Sequence, residues 1–423
     1  MITSQKGTRD LLPPETRVWN GVERTAREVF ALYGYDEIRT PTFEATELFV
    51  RSVGESTDIV HKEMYTFTDR GGRSVTLRPE NTAGVARAFV EHRLAQSGGV
   101  HRLYYIGPQF RYERPQKGRF REFRQIGAEV LGDPTALIDA EVIVMLFDFL
   151  GRLGFTGLSV SLNSVGTEAT RPAYVEAVRA FFSSNEGSLG EDDRRRLAEN
   201  PMRVLDSKDP AVKRLVASPD FPKMVDLLST LDPASDAHHR ELKTLLVHSK
   251  VPFKEDPLLV RGLDYYTRTV FEVTAEGLGA QNALLGGGRY DKLVFDLGGS
   301  KTPGIGFAIG EDRLVEVLPE SFRESALESA CAVAVMPVGS PDIRDAWEVA
   351  RSLRAAGIAV DLHSGHKGLG PALKAAERAG TKWTILVGQE EGLRGTVVVK
   401  EMATRTQSEV PREQLVEWLR PRL

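Results

Sequence analysis

A single cysteine, Cys331, stands among the 423 residues of the chain, which excludes a disulfide framework within one chain and any zinc site built from several thiolates. A reducing compartment is expected. No run approaches the roughly 20 apolar residues of a membrane-crossing helix, and the opening Met1-Ile2-Thr3-Ser4-Gln5-Lys6 contains no apolar stretch of signal-peptide type. A cytoplasmic location without a membrane partner is expected. Lysine and arginine number 55 against 59 aspartate and glutamate, a formal charge of −4. With no global basic field, a polyanionic partner has to be met by charge concentrated locally. H-E-x-x-H, G-x-S-x-G and Walker A sequences are also absent, so neither a protein-held zinc nor a hydrolase triad is indicated. The remainder, 41% hydrophobic and 27% charged residues, is ordinary globular composition at a length that suits two or three domains.

Residues 15 to 33 repeat apolar side chains at helical spacing (Val18, Val22, Ala26, Val29, Phe30, Tyr33), with Gly34 as the stop and Pro41 marking an extended segment. From 100 to 132 the pattern predicts a long antiparallel hairpin, with an outgoing strand from His101 to Arg111 and a return strand from Phe123 to Leu131. Residues 168 to 250 change character. Asp209-Pro210, Ser218-Pro219 and Asp232-Pro233 each pair a favoured N-cap with proline at the first helical position, which predicts a helical insertion with His238-His239 on a helix surface. Strand signals return at 258 to 274 and 282 to 286, before Gly286-Gly287-Gly288. Beyond Pro319 to Ser329, strands alternate with helices up to a final helix at 411 to 419. This predicts an α/β domain over 330–423 with a largely parallel sheet, following a first domain over 1–325 that the insertion interrupts.

Chemistry concentrates in five stretches. The densest charge run, Arg111 to Arg124, holds six basic and two acidic residues, either a solvated loop or a site for a polyanion. Strand alternation places Phe123, Gln125, Gly127 and Glu129 on one face and Ile126, Ala128 and Val130 on the core face. The same parity puts Tyr105, Gly107, Gln109 and Arg111 with the first set, a face too polar to be buried unless a ligand satisfies it. An arginine beside an aromatic plane suits a nucleotide, whose base stacks while the guanidinium meets phosphate; ATP is expected. The second stretch, Thr76-Leu77-Arg78-Pro79-Glu80-Asn81-Thr82-Ala83, opens a helix near Thr82, with Asn81 or Thr82 able to cap it and a carboxylate able to bind a substrate ammonium. The third is Leu259 to Glu272. In the fourth, Leu285-Gly286-Gly287-Gly288-Arg289-Tyr290-Asp291, the glycines serve either a turn or a close ligand approach. The fifth, Pro303 to Leu314, misses the dinucleotide spacing and leads from Gly310 into a helix carrying Arg313.

In order and over nearly the full length, these stretches resemble the histidyl-tRNA synthetases, a family of class II aminoacyl-tRNA synthetases. The helix and extended segment ending near Pro41 to Phe43 are similar to the first class motif, Phe110-Arg111-Tyr112-Glu113-Arg114 with its return strand to the second, and Gly306 to Arg313 to the third. Leu259-Val260-Arg261-Gly262-Leu263-Asp264-Tyr265-Tyr266 and Gly286 to Asp291 resemble the stretches specific to the histidine enzyme. The resemblance implies an antiparallel-sheet α+β catalytic core with a helical insertion and a C-terminal α/β anticodon-binding domain. It also implies that Glu80, Thr82, Gln125 and Tyr290 hold the amino and backbone side of L-histidine, Glu129 and Tyr266 its imidazole, with Asn81 and Tyr265 in the same pocket. For ATP it implies Arg111 on the α-phosphate, Phe123 on adenine and Arg313 on the γ-phosphate, with Glu113 and Arg121 completing the set. Mg²⁺ rides on the polyphosphate, and no metal is held by the protein alone. Arg261, with Arg111, is the implied catalytic arginine, Gln116 lies near the acceptor end of tRNA(His), and the chain forms a homodimer. The alternative is the paralogous histidine-binding regulatory subunit of an ATP phosphoribosyltransferase, which typically lacks the anticodon domain and carries degenerate motifs.

Overall fold

The computed structural model describes every residue except 1, 55, 56, 58, 115–118, 206, 208, 260, 261, 264, 277–282, 328–330 and 365–367. Two compact units are present, Met1–Arg323 and Glu324–Leu423. None of the described helices is long and apolar enough to cross a membrane.

In the first unit an eight-stranded sheet runs in the order Asp36–Glu37, His101–Phe110, Glu122–Leu131, Gly304–Gly310, Ala283–Arg289, Thr267–Ala275, Leu158–Ser164, Phe253–Glu255. The six central strands pair antiparallel and only the two short outer ones pair parallel. One face is apolar. The helix Glu15–Leu32 buries Val18, Val22, Ala26, Val29 and Phe30, the side predicted by its period, and Gly34 ends it at φ +75. Phe30 meets the rings of Tyr104 and Phe307 on the sheet and of Phe149 on the helix Ala136–Arg152, at 5.2 to 6.1 Å. The sheet is thereby covered on this side. The opposite face receives the helix Thr82–Glu91, whose Val85, Ala86 and Phe89 pack with Tyr105, Leu131 and Tyr290, and there the polar side chains gather.

Among the described residues of the insertion, the α-helices Arg171–Ser184, Glu191–Glu199, Pro210–Val216 and Met224–Leu231 pack around a core with Tyr174, Val178, Phe182, Phe221 and Met224, and the α-helix Pro233–His248 follows. Asp209 and Asp232 cap as predicted, accepting from the amides of Ala211 and Ser235. Ser218-Pro219 does not start a helix: Ser218 Oγ accepts from the amide of Asp220 in a turn, and the next helix begins at Met224. His238 and His239 are not surface residues. They are buried, with Nε2 of each 2.8 Å from Asp139 Oδ2 and 3.0 Å from Glu255 Oε1 respectively. These carboxylates come from outside the helix, so its own sequence gives no sign of them. The glycines 286 to 288 lie within a strand, not a turn, at positions where a Cβ on Gly287 or Gly288 would collide with Phe271 or Tyr266.

The second unit carries a five-stranded sheet in the order Val360–Leu362, Val333–Pro337, Trp383–Val387, Thr396–Glu401, Gln407–Pro411. Only the first three strands are parallel; the last two pairings are antiparallel, which corrects the expectation of a largely parallel sheet. The connection after Val387 holds only the short helix Gln389–Leu393, too little chain for a parallel crossover. The terminal helix is confined to Leu415–Leu419, since Gln407–Pro411 is a strand and Arg412–Gln414 a 3-10 turn.

Candidate active site

The hairpin register places Tyr105 opposite Gly127, Gly107 opposite Gln125 and Gln109 opposite Phe123, so seven of the eight positions paired by parity share one face, and Arg111 follows just past the end of its strand. Further pairings set Gly306 beside Glu129 and Gly310 beside Gln125. The face is nevertheless buried without any ligand: Glu129 is 0% exposed and Gln125 8%. For Glu129 the expectation that only a ligand could satisfy it is corrected by three hydroxyls from three other elements, whereas Gln125 Oε1 and both polar side-chain atoms of Gln109 are buried without a partner among the described residues. Glu129 accepts from Thr82 Oγ1 at 2.7 Å, Tyr105 O–H at 3.3 Å and Tyr290 O–H at 2.5 Å. Glycine is required next to it, because a Cβ on Gly306 would fall onto the Glu129 carboxylate.

Burial pushes the Glu129 carboxyl up to about 8, with the nearby Glu80 charge adding to the rise and the three hydroxyls opposing it. So raised, the carboxyl favours its neutral form near neutral pH. Tyr290 and Tyr265 are raised by burial as well; the ring of Tyr265 lies 4.8 Å from Tyr266 and 5.7 Å from Tyr290, forming an aromatic wall.

Glu80 opens the helix that delivers Thr82. Its carboxylate accepts from the amides of Thr82 at 2.7 Å and Ala83 at 2.9 Å, which is helix capping by a residue ahead of the expected Asn81 or Thr82. Asn81 instead accepts from Thr40 Oγ1 at 2.7 Å. Burial raises the Glu80 carboxyl, while those two amides and Arg111 hold it down.

Beyond Gln125 the face changes to a cation and a ring. Arg111 Cζ lies 5.3 Å from the centroid of Phe123, and its Nε donates to Pro79 O at 2.8 Å. Glu113 sits 3.9 Å from Arg111 and 3.4 Å from Arg119. Arg313, on the helix Glu311–Glu316, donates from Nε to Ala283 O at 3.1 Å. Arg121 stacks 3.8 Å over the ring of Tyr112 and joins the group through Glu113, whose carbonyl accepts from Arg121 Nε at 3.3 Å. Arg261 and Gln116 lie outside the described residues.

Three residues of this region lie outside the site expected from the sequence. Tyr105 could have been included in it, since parity already placed it on the face of Gln125 and Glu129. Arg78 is buried and ties the extended segment to the hairpin, donating to Pro108 O at 2.8 Å and Thr40 O at 3.0 Å. Arg289, 0% exposed, pairs with Asp139 at 2.8 Å and Asp291 at 2.9 Å directly behind Tyr290. Apart from Asp291, two positions from Arg289, the partners named for these two are 30 to 150 residues away and left no local signal.

Residues 7–314 match the family model described as histidyl-tRNA synthetase, and residues 332–422 match the one described as anticodon binding domain. The chain is 48% identical to the histidine–tRNA ligase of Koribacter versatilis (strain Ellin345) and 47% identical to that of Solibacter usitatus (strain Ellin6076). These alignments cover 99% and 98% of this chain, and 96% and 98% of the relatives. Among solved structures, apo histidyl-tRNA synthetase of S. aureus superposes with a TM-score of 0.79 at 34% identity over 99% of both chains. With a family model matched over most of its length, this chain belongs to the histidyl-tRNA synthetase family.

Proposed function

We infer that the chain is a histidine–tRNA ligase. It activates L-histidine with ATP and transfers it to the 3′ end of tRNA(His), with 1–325 as the catalytic domain and 330–423 as the anticodon-binding domain. The observation that carries this reading is one strand face on which Glu129, gathered under three hydroxyls, is followed by Gln125 and then by the Arg111–Phe123 pair. An imidazole pocket thus borders a nucleotide site.

In the first step a histidine carboxylate oxygen attacks the α-phosphorus of ATP, and the bond to the β-phosphate oxygen breaks to release pyrophosphate. Both reactants are anionic, so positioning and charge neutralisation carry the catalysis. Arg111, oriented beforehand by its bond to Pro79 O, meets the α-phosphate, and Arg261 joins it at the reacting centre. Phe123 stacks on adenine and Arg313 takes the γ-phosphate, with Arg121 at the edge of the set. ATP brings Mg²⁺ on its polyphosphate; Glu113, an oxygen donor beside Arg111, suits such a hard cation. Glu80, Gln125 and Tyr290 receive the amino and backbone side of histidine together with Thr82 and, behind it, Asn81.

The protonated Glu129 explains the choice of side chain. A neutral imidazole nitrogen accepts the carboxyl proton and its other nitrogen donates, with Tyr266 and Tyr265 alongside. Lysine and arginine offer donors only, and an apolar side chain would offer the Glu129 carboxyl proton no acceptor. Gln116 and the basic hairpin loop receive the acceptor end of tRNA. A homodimer is supported by the three-stranded sheet Phe43–Ala45, Ser74–Leu77, Tyr65–Thr68, on which Phe43 and Phe67 stand about half exposed, as a covered face would require. The regulatory-subunit alternative is disfavoured by the matched anticodon-binding domain at 332–422 and by Arg111 and Arg313, both present. Charging tests the reading: with labelled histidine, ATP and tRNA, label is expected in acid-precipitable tRNA, and label that stays soluble while histidine binds rejects it.

A further inference from the structure

Outside the pocket, the N-terminal segment makes an unusual set of contacts. Gly7 O accepts from the amides of Arg121 at 2.8 Å and Glu122 at 3.4 Å. It can lie this close because Gly7 has φ +88, and a Cβ there would sit 2.6 Å from Arg121 Cγ. Two residues on, Arg9 Nη2 pairs with Asp312 Oδ1 at 3.0 Å, and its guanidinium lies 4.2 Å from the ring of Phe120 and 5.6 Å from that of Trp19. The other Asp312 oxygen, Oδ2, accepts from the Arg124 amide at 2.8 Å. Phe123 is therefore flanked on both sides: the amide of the residue before it is held by the N-terminal segment and that of the residue after it by Asp312. Asp312 in turn immediately precedes Arg313.

We propose that Arg9 and Asp312 are positioning residues for ATP, a strap that sets the hairpin strand carrying Phe123 at a fixed distance from the helix carrying Arg313. This rests on the assignment of those two side chains to adenine and the γ-phosphate given above. Asp312 is buried, so its charge is costly unless both oxygens are satisfied, and Arg9 satisfies one of them. Arg9 itself is about a third exposed, beside an open cavity of about 340 Å³ lined by Glu15, Phe120, Val315 and Glu316. Its loss should move the two ends of the nucleotide site relative to each other without removing core packing. The histidine pocket, whose Glu129, Thr82, Tyr105 and Tyr290 are tied to one another by their own bonds, should be unaffected.

The test is steady-state pyrophosphate exchange with Arg9→Met, Arg9→Lys and Asp312→Asn, varying ATP and histidine separately. Arg9→Met is expected to raise the KM for ATP about 5- to 30-fold, the range for losing a partly exposed charged hydrogen bond, with the KM for histidine within about twofold. Arg9→Lys keeps a charge within reach of Asp312 but loses the planar stack, and should recover part of the effect. Asp312→Asn should reproduce Arg9→Met, and the double variant should be no worse than either single one. An unchanged KM for ATP in both single variants overturns the proposal. So does a parallel rise for both substrates accompanied by a lower melting temperature, which marks a merely structural role. Should Arg9→Met not fold, Asp312→Asn alone decides. If the wild-type chain shows no histidine-dependent exchange, the ATP assignment falls and the strap with it; normal wild-type exchange with unaltered variants removes only the strap.

Discussion

Glu129 is held in the folded chain with its carboxyl pushed up to about 8 from 4.5, and this makes a stability prediction whose sign can be worked out. A carboxyl whose folded pKa is raised binds its proton more tightly in the folded state. Its contribution is therefore complete below pH 4.5 and is lost as pH rises toward 8. At 1.36 kcal/mol per unit, the cumulative loss is about 2 kcal/mol by pH 6 and at most about 5 kcal/mol by pH 9. Glu129→Gln keeps the shape and cannot ionise. The variant will differ from wild type by a constant offset for altered hydrogen bonds, plus this pH-dependent term. Glu311, also pushed up to about 8 by burial with the Glu23 charge adding to the rise, titrates over the same window in both proteins and cancels. Urea unfolding of the two proteins at pH 6, 7, 8 and 9 should therefore show the difference moving in favour of Glu129→Gln by up to about 3 kcal/mol, most of it between pH 6 and 8. Parallel pH profiles would refute the buried, protonated Glu129.

Two further substitutions probe the reaction itself. Phe123→Ala removes the ring beside Arg111 and should raise the KM for ATP by about 5- to 150-fold, corresponding to the 1–3 kcal/mol of one stacked base, while leaving the KM for histidine nearly unchanged; exchange kinetics with each substrate varied in turn would check it. Arg261→Ala should lower the rate of adenylate formation by about two to three orders of magnitude while histidine still binds, as read by single-turnover pyrophosphate release beside equilibrium binding, and undiminished release would remove Arg261 from the mechanism.

The parts legible in the sequence were those set by local periodicity. Val18 to Phe30 repeats every third or fourth residue and folds as read. The alternation from Phe123 to Glu129 correctly assigned side chains to faces, because a strand allows only two. What alternation could not supply was the opposite surface. The burial of Glu129 depends on Thr82, Tyr105 and Tyr290, brought together over as many as 161 residues of sequence separation. The burial of His238 is invisible for the same reason, since its partner Asp139 is 99 residues away. Asn81 was expected to cap and does not, because Thr40 competes for its side chain and Glu80 already holds the helix amides. Gly286 to Gly288 were ambiguous by composition alone; the rings of Phe271 and Tyr266 above them decide for a strand.

Histidine-dependent exchange of pyrophosphate into ATP, with the other amino acids as controls and with and without Mg²⁺, tests the central claim most directly. Exchange with histidine alone, dependent on Mg²⁺, is the expected result, because adenylate formation needs both the imidazole pocket around Glu129 and the Arg111–Phe123 nucleotide site. Histidine binding without any exchange would contradict it and leave a sensor of histidine in place of a ligase.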